Sequence, residues 1–166
     1  MENPPSPNTH PHPTDVSLVF PPHPAWVRAA RETVRTLLVT SGRPELTDTA
    51  VLLTSEAVTN SINACAAKGC TTPVTLHAGW TDPTRLRILI HDEAPGLPTC
   101  RTRVSATDED GRGMHLISYG ADAWGVCTHG PGRGKATWFE LGARGAVVPA
   151  CSGEEAVGLA VAEVGP

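Results

Sequence analysis

The chain has no basic block, no long apolar run, and no N-terminal basic stretch leading into an apolar one. Each absence argues against a class of function. With a net charge of −4 and no basic cluster, sequence-independent binding to DNA phosphates is disfavoured. Without a long apolar run there is no membrane span to place. Without a leader pattern nothing marks the chain for secretion. The expectation is a soluble cytoplasmic protein with no direct nucleic-acid or membrane partner. Cys-x-x-Cys pairs are also missing. The five cysteines, Cys65, Cys70, Cys100, Cys127 and Cys151, are odd in number, which argues against a zinc site or a disulfide framework. They read as small buried residues or idle thiols. His10 and His12 sit in a proline-rich tail, His77, His91, His115 and His129 are scattered, and no Ser-His-Asp or His-Cys pattern recommends any of them for catalysis.

What is present fits one domain with flanking tails, since 166 residues can bury one core. Half of the sixteen prolines precede Ala25, and residues 1–14 are expected to be a disordered tail. Asp15 to Phe20 alternates weakly, as an edge strand would. Pro24 is placed to open a helix. Trp26, Ala30, Val34, Leu37 and Leu38 give that helix an apolar face, and Ser41-Gly42-Arg43-Pro44 ends it. A second helix is predicted from about Glu45 to Lys68, stopping at Gly69. Val74 to Trp80 and Leu86 to Ile90 alternate on either side of the turn Thr81-Asp82-Pro83-Thr84, which marks a hairpin. A polar loop from Ala94 to Gly113, a short helix at Met114 to Tyr119 and a second hairpin, Trp124 to Thr128 with Thr137 to Leu141, complete the pattern. Residues 143–166 read as a weakly ordered tail. This order predicts an α+β fold, a two-layer sandwich whose mixed, mostly antiparallel sheet carries helices on one face.

Glu56 is the most informative residue. From Thr49 to Ala67 it is the only side chain charged at neutral pH, in a stretch free of Pro and Gly. A helix apolar nearly all round is expected to be buried, and a lone buried carboxylate is costly unless something uses it. Asn60 lies four residues on and so shares its face. An acid beside a neutral oxygen donor suggests a metal-nucleotide site. A Glu held by a backbone amide or an Arg is the plainer alternative.

The glycine motifs are less specific one by one. Asp92 ends a strand and begins Asp92-Glu93-Ala94-Pro95-Gly96. An acceptor-only carboxylate there could receive the exocyclic amine of adenine, with Gly96 letting backbone approach the base. A plain turn is the alternative. Gly111-Arg112-Gly113 precedes an apolar helix and could offer backbone N–H groups to phosphate, or be a connector. A dinucleotide fingerprint is rejected, because its third glycine would fall on Leu116 and no strand precedes it. A P-loop at His129 to Thr137 is rejected too, because Ala136 replaces the metal-binding hydroxyl and a strand follows.

Taken in order, these boxes resemble the GHKL ATPase superfamily (the Bergerat ATP-binding fold). They look most like its short anti-sigma-factor serine kinases and the stand-alone ATP-binding regulators of actinobacteria. Glu56-Ala57-Val58-Thr59-Asn60 resembles the N box, and Asp92 to Pro98 the first glycine box. Asp108 to Ile117 resembles the lid end and second glycine box. Ala123 to Val126 and Gly134 to Leu141 resemble the closing strands. The resemblance spans about residues 15–142, which it marks as the ATP-binding domain. It implies ATP and Mg²⁺ as ligands. Asn60 would hold Mg²⁺, Asp92 would accept the adenine amine, and Gly96, Gly111 and Gly113 would line base and phosphates. Glu56 would be the catalytic base. Three positions depart from the family pattern: Ala64 where His is frequent, Ala94 in place of a glycine, and Ala136 where a Thr commonly reaches the adenine through water. Leu97 to Gly113 would form a lid carrying Arg101 and Arg103.

Two functions follow from the resemblance. One is a serine/threonine protein kinase that phosphorylates a small antagonist protein and, in its other state, holds a sigma factor. The other is a non-catalytic ATP-binding module that grips a protein partner. A homodimer is implied as an option. A histidine kinase is disfavoured, because no His-Glu-x-Arg-x-Pro segment precedes the domain.

Overall fold

The computed structural model describes residues 15–96, 112–128 and 134–142. The expected tails, Gly111 and nearly all of the expected lid lie outside the described residues. β1 (Val16–Phe20) leads into α1 (Trp26–Thr40), whose buried stripe is Ala30, Val34, Leu37 and Leu38. The helix starts at Trp26 rather than at Pro24. Pro24 sits just outside, its carbonyl accepting the Val27 N–H at 3.1 Å. Trp26 stacks on Phe20 with ring centroids 5.9 Å apart, which ties the helix start to the strand end. One 3₁₀ turn at Pro44–Leu46 then feeds α2 (Thr47–Lys68). Gly69 ends α2 in the left-handed region, φ 64°, and the Cys70 N–H reaches back to the Cys65 carbonyl at 2.9 Å.

β2 (Val74–Asp82), β3 (Arg85–Asp92), β4 (Ala123–Thr128) and β5 (Lys135–Gly142) join β1 in one five-stranded sheet, with α3 (Arg112–Gly120) before β4. The strand order is β1-β2-β3-β5-β4 and every pairing is antiparallel. With three helices over this sheet, the fold is the predicted α+β two-layer sandwich. Alternation sends Val74, Leu76, Ala78, Leu86, Ile88, Ile90, Phe139 and Leu141 into the core with the helices. The same face carries Asp92 and Lys135, opposite each other where β3 ends and β5 begins.

One expectation about α2 is not met. The helix is not buried all round. Leu53, Ala57, Val58, Ile62 and Cys65 are in the core, but Leu52 is 47% exposed and Thr59, Asn63 and Ala66 are on the surface. The helix packs between α1 and α3 over the sheet, which leaves an outer flank. Mostly small side chains there cost little to hydrate, so an apolar sequence did not require a buried helix.

Candidate functional site

Helical spacing puts Glu56 and Asn60 one above the other on α2, both half-buried. Among the described residues Glu56 has no cationic partner, and neither side chain has a hydrogen bond. The plainer alternative, a Glu held by an Arg or an amide, therefore has no support among those residues. What lies against both side chains is the start of α3. Gly113 is buried, and a methyl group added there would fall 2.8 Å from Asn60 Nδ2 and 2.9 Å from Glu56 Oε2. A side chain fits there only if Glu56 and Asn60 move aside. The first turn of α3, whose backbone N–H groups have no acceptor within the helix, thus closes onto the carboxylate and the amide. Such donors favour anions. Gly111, the other glycine of this motif, lies outside the described residues.

The second candidate position is Asp92. It is fully buried, and its Oδ1 accepts the Ala94 N–H at 3.0 Å and the Lys135 ammonium at 2.7 Å. The Ala94 bond is the local turn that Asp92 to Gly96 suggested. Oδ2 is buried with no hydrogen-bond partner. A buried acceptor left unmade costs about 1–3 kcal/mol, so an orphan of this kind asks for a donor. Beyond it Gly96 has φ 96°, a conformation that favours glycine, and a side chain there would meet nothing within 4 Å. Below it lies the Cys65 thiol of α2, pushed up to about 11 by burial first and by the neighbouring Asp92 charge second.

Sequence reasoning did not find Lys135. The second hairpin was expected to resume at Thr137, yet β5 begins two residues earlier. A signal existed: 135, 137, 139 and 141 share one face of an alternating strand. The same register separates the neighbouring positions. Ala136 pairs with His91 on the face away from the helices, whereas Thr137 pairs with Ile90 on the face of Asp92. Of the other departures, Ala94 is fully buried in the core and Ala64 packs against its edge.

Also unforeseen is a charged cluster on the open face of the sheet. Glu140 is completely buried there. It receives Arg85 at 3.1 Å and Arg87 at 2.6 Å, and Arg87 lies 5.1 Å from the centre of the Trp138 ring. Its place, on the far side of the sheet from α2, makes it part of the scaffold. A groove of about 450 Å³ between β1 and α1 is lined by Asp15, Val16, Glu32, Thr33, Thr36, Leu37 and Thr40. It offers carboxylates and hydroxyls but no cationic side chain, so it does not suit a phosphate.

The donor set fits an adenine nucleotide with Mg²⁺. The orphaned Asp92 oxygen suits an amine, and the Gly113 contact forms a cradle that a Cβ would fill. Among the described residues no group of three or more His, Cys, Asp or Glu could cage a metal. Mg²⁺ needs no such cage, since it is commonly held by one or two protein oxygens with phosphates and water. No helix among the described residues is long and apolar enough to cross a membrane.

Comparison with known families gives a match. The model of the family described as histidine kinase-like ATPase domain covers residues 20–139, from the end of β1 to the middle of β5. No curated protein matches the chain.

Proposed function

The chain belongs to the histidine kinase-like ATPase family, and from that premise we propose that it is an ATP-dependent serine/threonine protein kinase of the anti-sigma-factor type. Members of this family bind ATP, typically with Mg²⁺. In the proposed reaction a small antagonist protein offers a serine or threonine hydroxyl. Its oxygen bonds to the terminal phosphorus and ADP leaves. In its other state the chain would hold a sigma factor. Asp92 Oδ2 receives the base amine. The start of α3 faces the phosphates, and Asn60 contributes the side-chain oxygen for Mg²⁺. Bound Mg²⁺ supplies charge neutralisation along the phosphates, the main need of phosphoryl transfer besides positioning. Glu56 orients the hydroxyl and takes its proton.

The observation that carries this reading is the meeting of Glu56, Asn60 and Gly113, with Glu56 unpaired among the described residues. A carboxylate kept there without a cation suits a base, and mere nucleotide binding does not need one. Ala64, where a His is frequent in similar proteins, favours the second reading, a non-catalytic ATP-dependent grip on a partner.

The two readings part on Glu56→Gln. Under the kinase reading it abolishes phosphorylation of the cognate protein, a loss of about 10²–10⁴-fold, while binding of Mg-ATP and of the partner persists. Mass spectrometry of co-purifying proteins incubated with Mg-ATP supplies the candidate substrates. If the wild type phosphorylates none of them and Glu56→Gln retains partner control, the binding module stands instead.

A further inference from the structure

Asp92 is not held the way a structural ion pair usually is. A buried carboxylate kept for stability satisfies both oxygens, since each has lone pairs to fill. Here one oxygen takes everything. Lys135 Nζ lies 2.7 Å from Oδ1, and the Ala94 N–H donates to the same atom at 3.0 Å. Oδ2 receives nothing and is buried. A second proton of the ammonium points to the Ala94 carbonyl, 3.4 Å away. The lysine is itself buried, at 4% exposure.

This arrangement is built by the strand start. Gly134 has φ 79°, and a Cβ there would fall 2.3 Å from the Asp92 carbonyl oxygen. Only glycine lets β5 begin flush against the end of β3, and the register then sets Lys135 across from Asp92. The ammonium compensates the Asp92 charge where both side chains are buried.

Resting on Asp92 as the residue that reads the base, we propose that Lys135 is the positioning and specificity-determining residue of the base pocket. By occupying Oδ1 it leaves Oδ2 as the one free acceptor, suited to the 6-amino group of adenine. A 6-oxo purine would set its carbonyl against Oδ2, acceptor against acceptor. Two of the three lysine protons are committed to Oδ1 and to the Ala94 carbonyl, so at most one is left for that carbonyl.

The test compares ATP, GTP and purine riboside triphosphate, which lacks the 6-amino group, by calorimetry with Mg²⁺. Wild type is expected to prefer ATP over the desamino analogue by roughly tenfold or more, the worth of one hydrogen bond to a charged group. Lys135→Met should erase that preference by weakening ATP alone, leaving affinity for the analogue unchanged. Lys135→Gln, a milder change that keeps a donor but loses the charge, should reduce the preference in the same direction and serves if Lys135→Met does not fold. A variant that weakens ATP and the analogue equally gives Lys135 a merely structural role and overturns the proposal. So does a variant that keeps the full wild-type preference, and in either case the reading of Asp92 survives. If wild type itself binds ATP, GTP and the analogue alike, the reading of Asp92 fails and the proposal falls with it.

Discussion

Replacing Gly113 by alanine adds one methyl group at the point where α3 meets α2. Two effects oppose each other. Alanine is the better helix former by about 0.5–1 kcal/mol, and Gly113 does not have the positive φ that would make a side chain strained. Against this, the methyl would sit 2.8 Å from Asn60 Nδ2, 2.9 Å from Glu56 Oε2 and 3.2 Å from Asn60 Oδ1. All three atoms are ends of half-buried, rotatable side chains, so they can swing aside with little cost to the core. Stability is therefore expected to hold or rise, by no more than about 5 °C in Tm. Nucleotide binding should not hold, because the methyl displaces both site residues and fills the cradle. A loss of roughly tenfold or more in Mg-ATP affinity is expected, about 1.4 kcal/mol. Thermal melts and calorimetry on the same preparation read the two quantities. Unchanged Mg-ATP affinity would refute the placement of Glu56 and Asn60 at the phosphate end. A Tm lower by more than about 5 °C would show that the glycine serves packing instead.

Asn60→Ala should weaken binding of Mg-ATP while leaving ATP in excess chelator little changed, and equal losses in both would remove Asn60 as the metal ligand. Asp92→Asn turns one acceptor oxygen into a donor and should cost ATP roughly ten- to a hundredfold in calorimetric affinity, with GTP much less affected. On the open face, Glu140→Ala removes the buried carboxylate that Arg85 and Arg87 share. Arg85 keeps Asp82 at 3.8 Å, so a loss of about 1.5–3 kcal/mol in urea is expected, the worth of hydrogen bonds to a charged group, and no change would show that the cluster is without weight in folding. The Cys65 thiol, pushed up to about 11 from 9.0, keeps its proton in the folded state where the unfolded chain has lost it. Stability should therefore fall as pH rises from about 9 to 11, and Cys65→Ala should flatten that slope in alkaline denaturant titrations.

Much of this protein is written in local pattern. The apolar stripe of α1, the glycine after Lys68 and the alternation around Pro83 each act through neighbours in the chain, so helix, cap and hairpin could be read without the fold. Glu56 and Asn60 could be paired on one face because helical spacing is local too. The order of the boxes also marked the family. Contacts between distant segments could not be read this way. Whether α2 was buried all round depended on how far α1 and α3 reach over it, and its outer flank is open. Gly113 meets Glu56 and Asn60 because α3 packs on α2, a fact absent from either segment alone. Asp92 and Lys135 are forty-three positions apart. Only the β3–β5 register brings them together, and that register is set by cross-strand pairing and by the room Gly134 leaves. The sequence by itself determined the elements and the types of side chain on offer. The tertiary structure decided which of them share a charge, because burial and cross-strand register are properties of the assembled sheet.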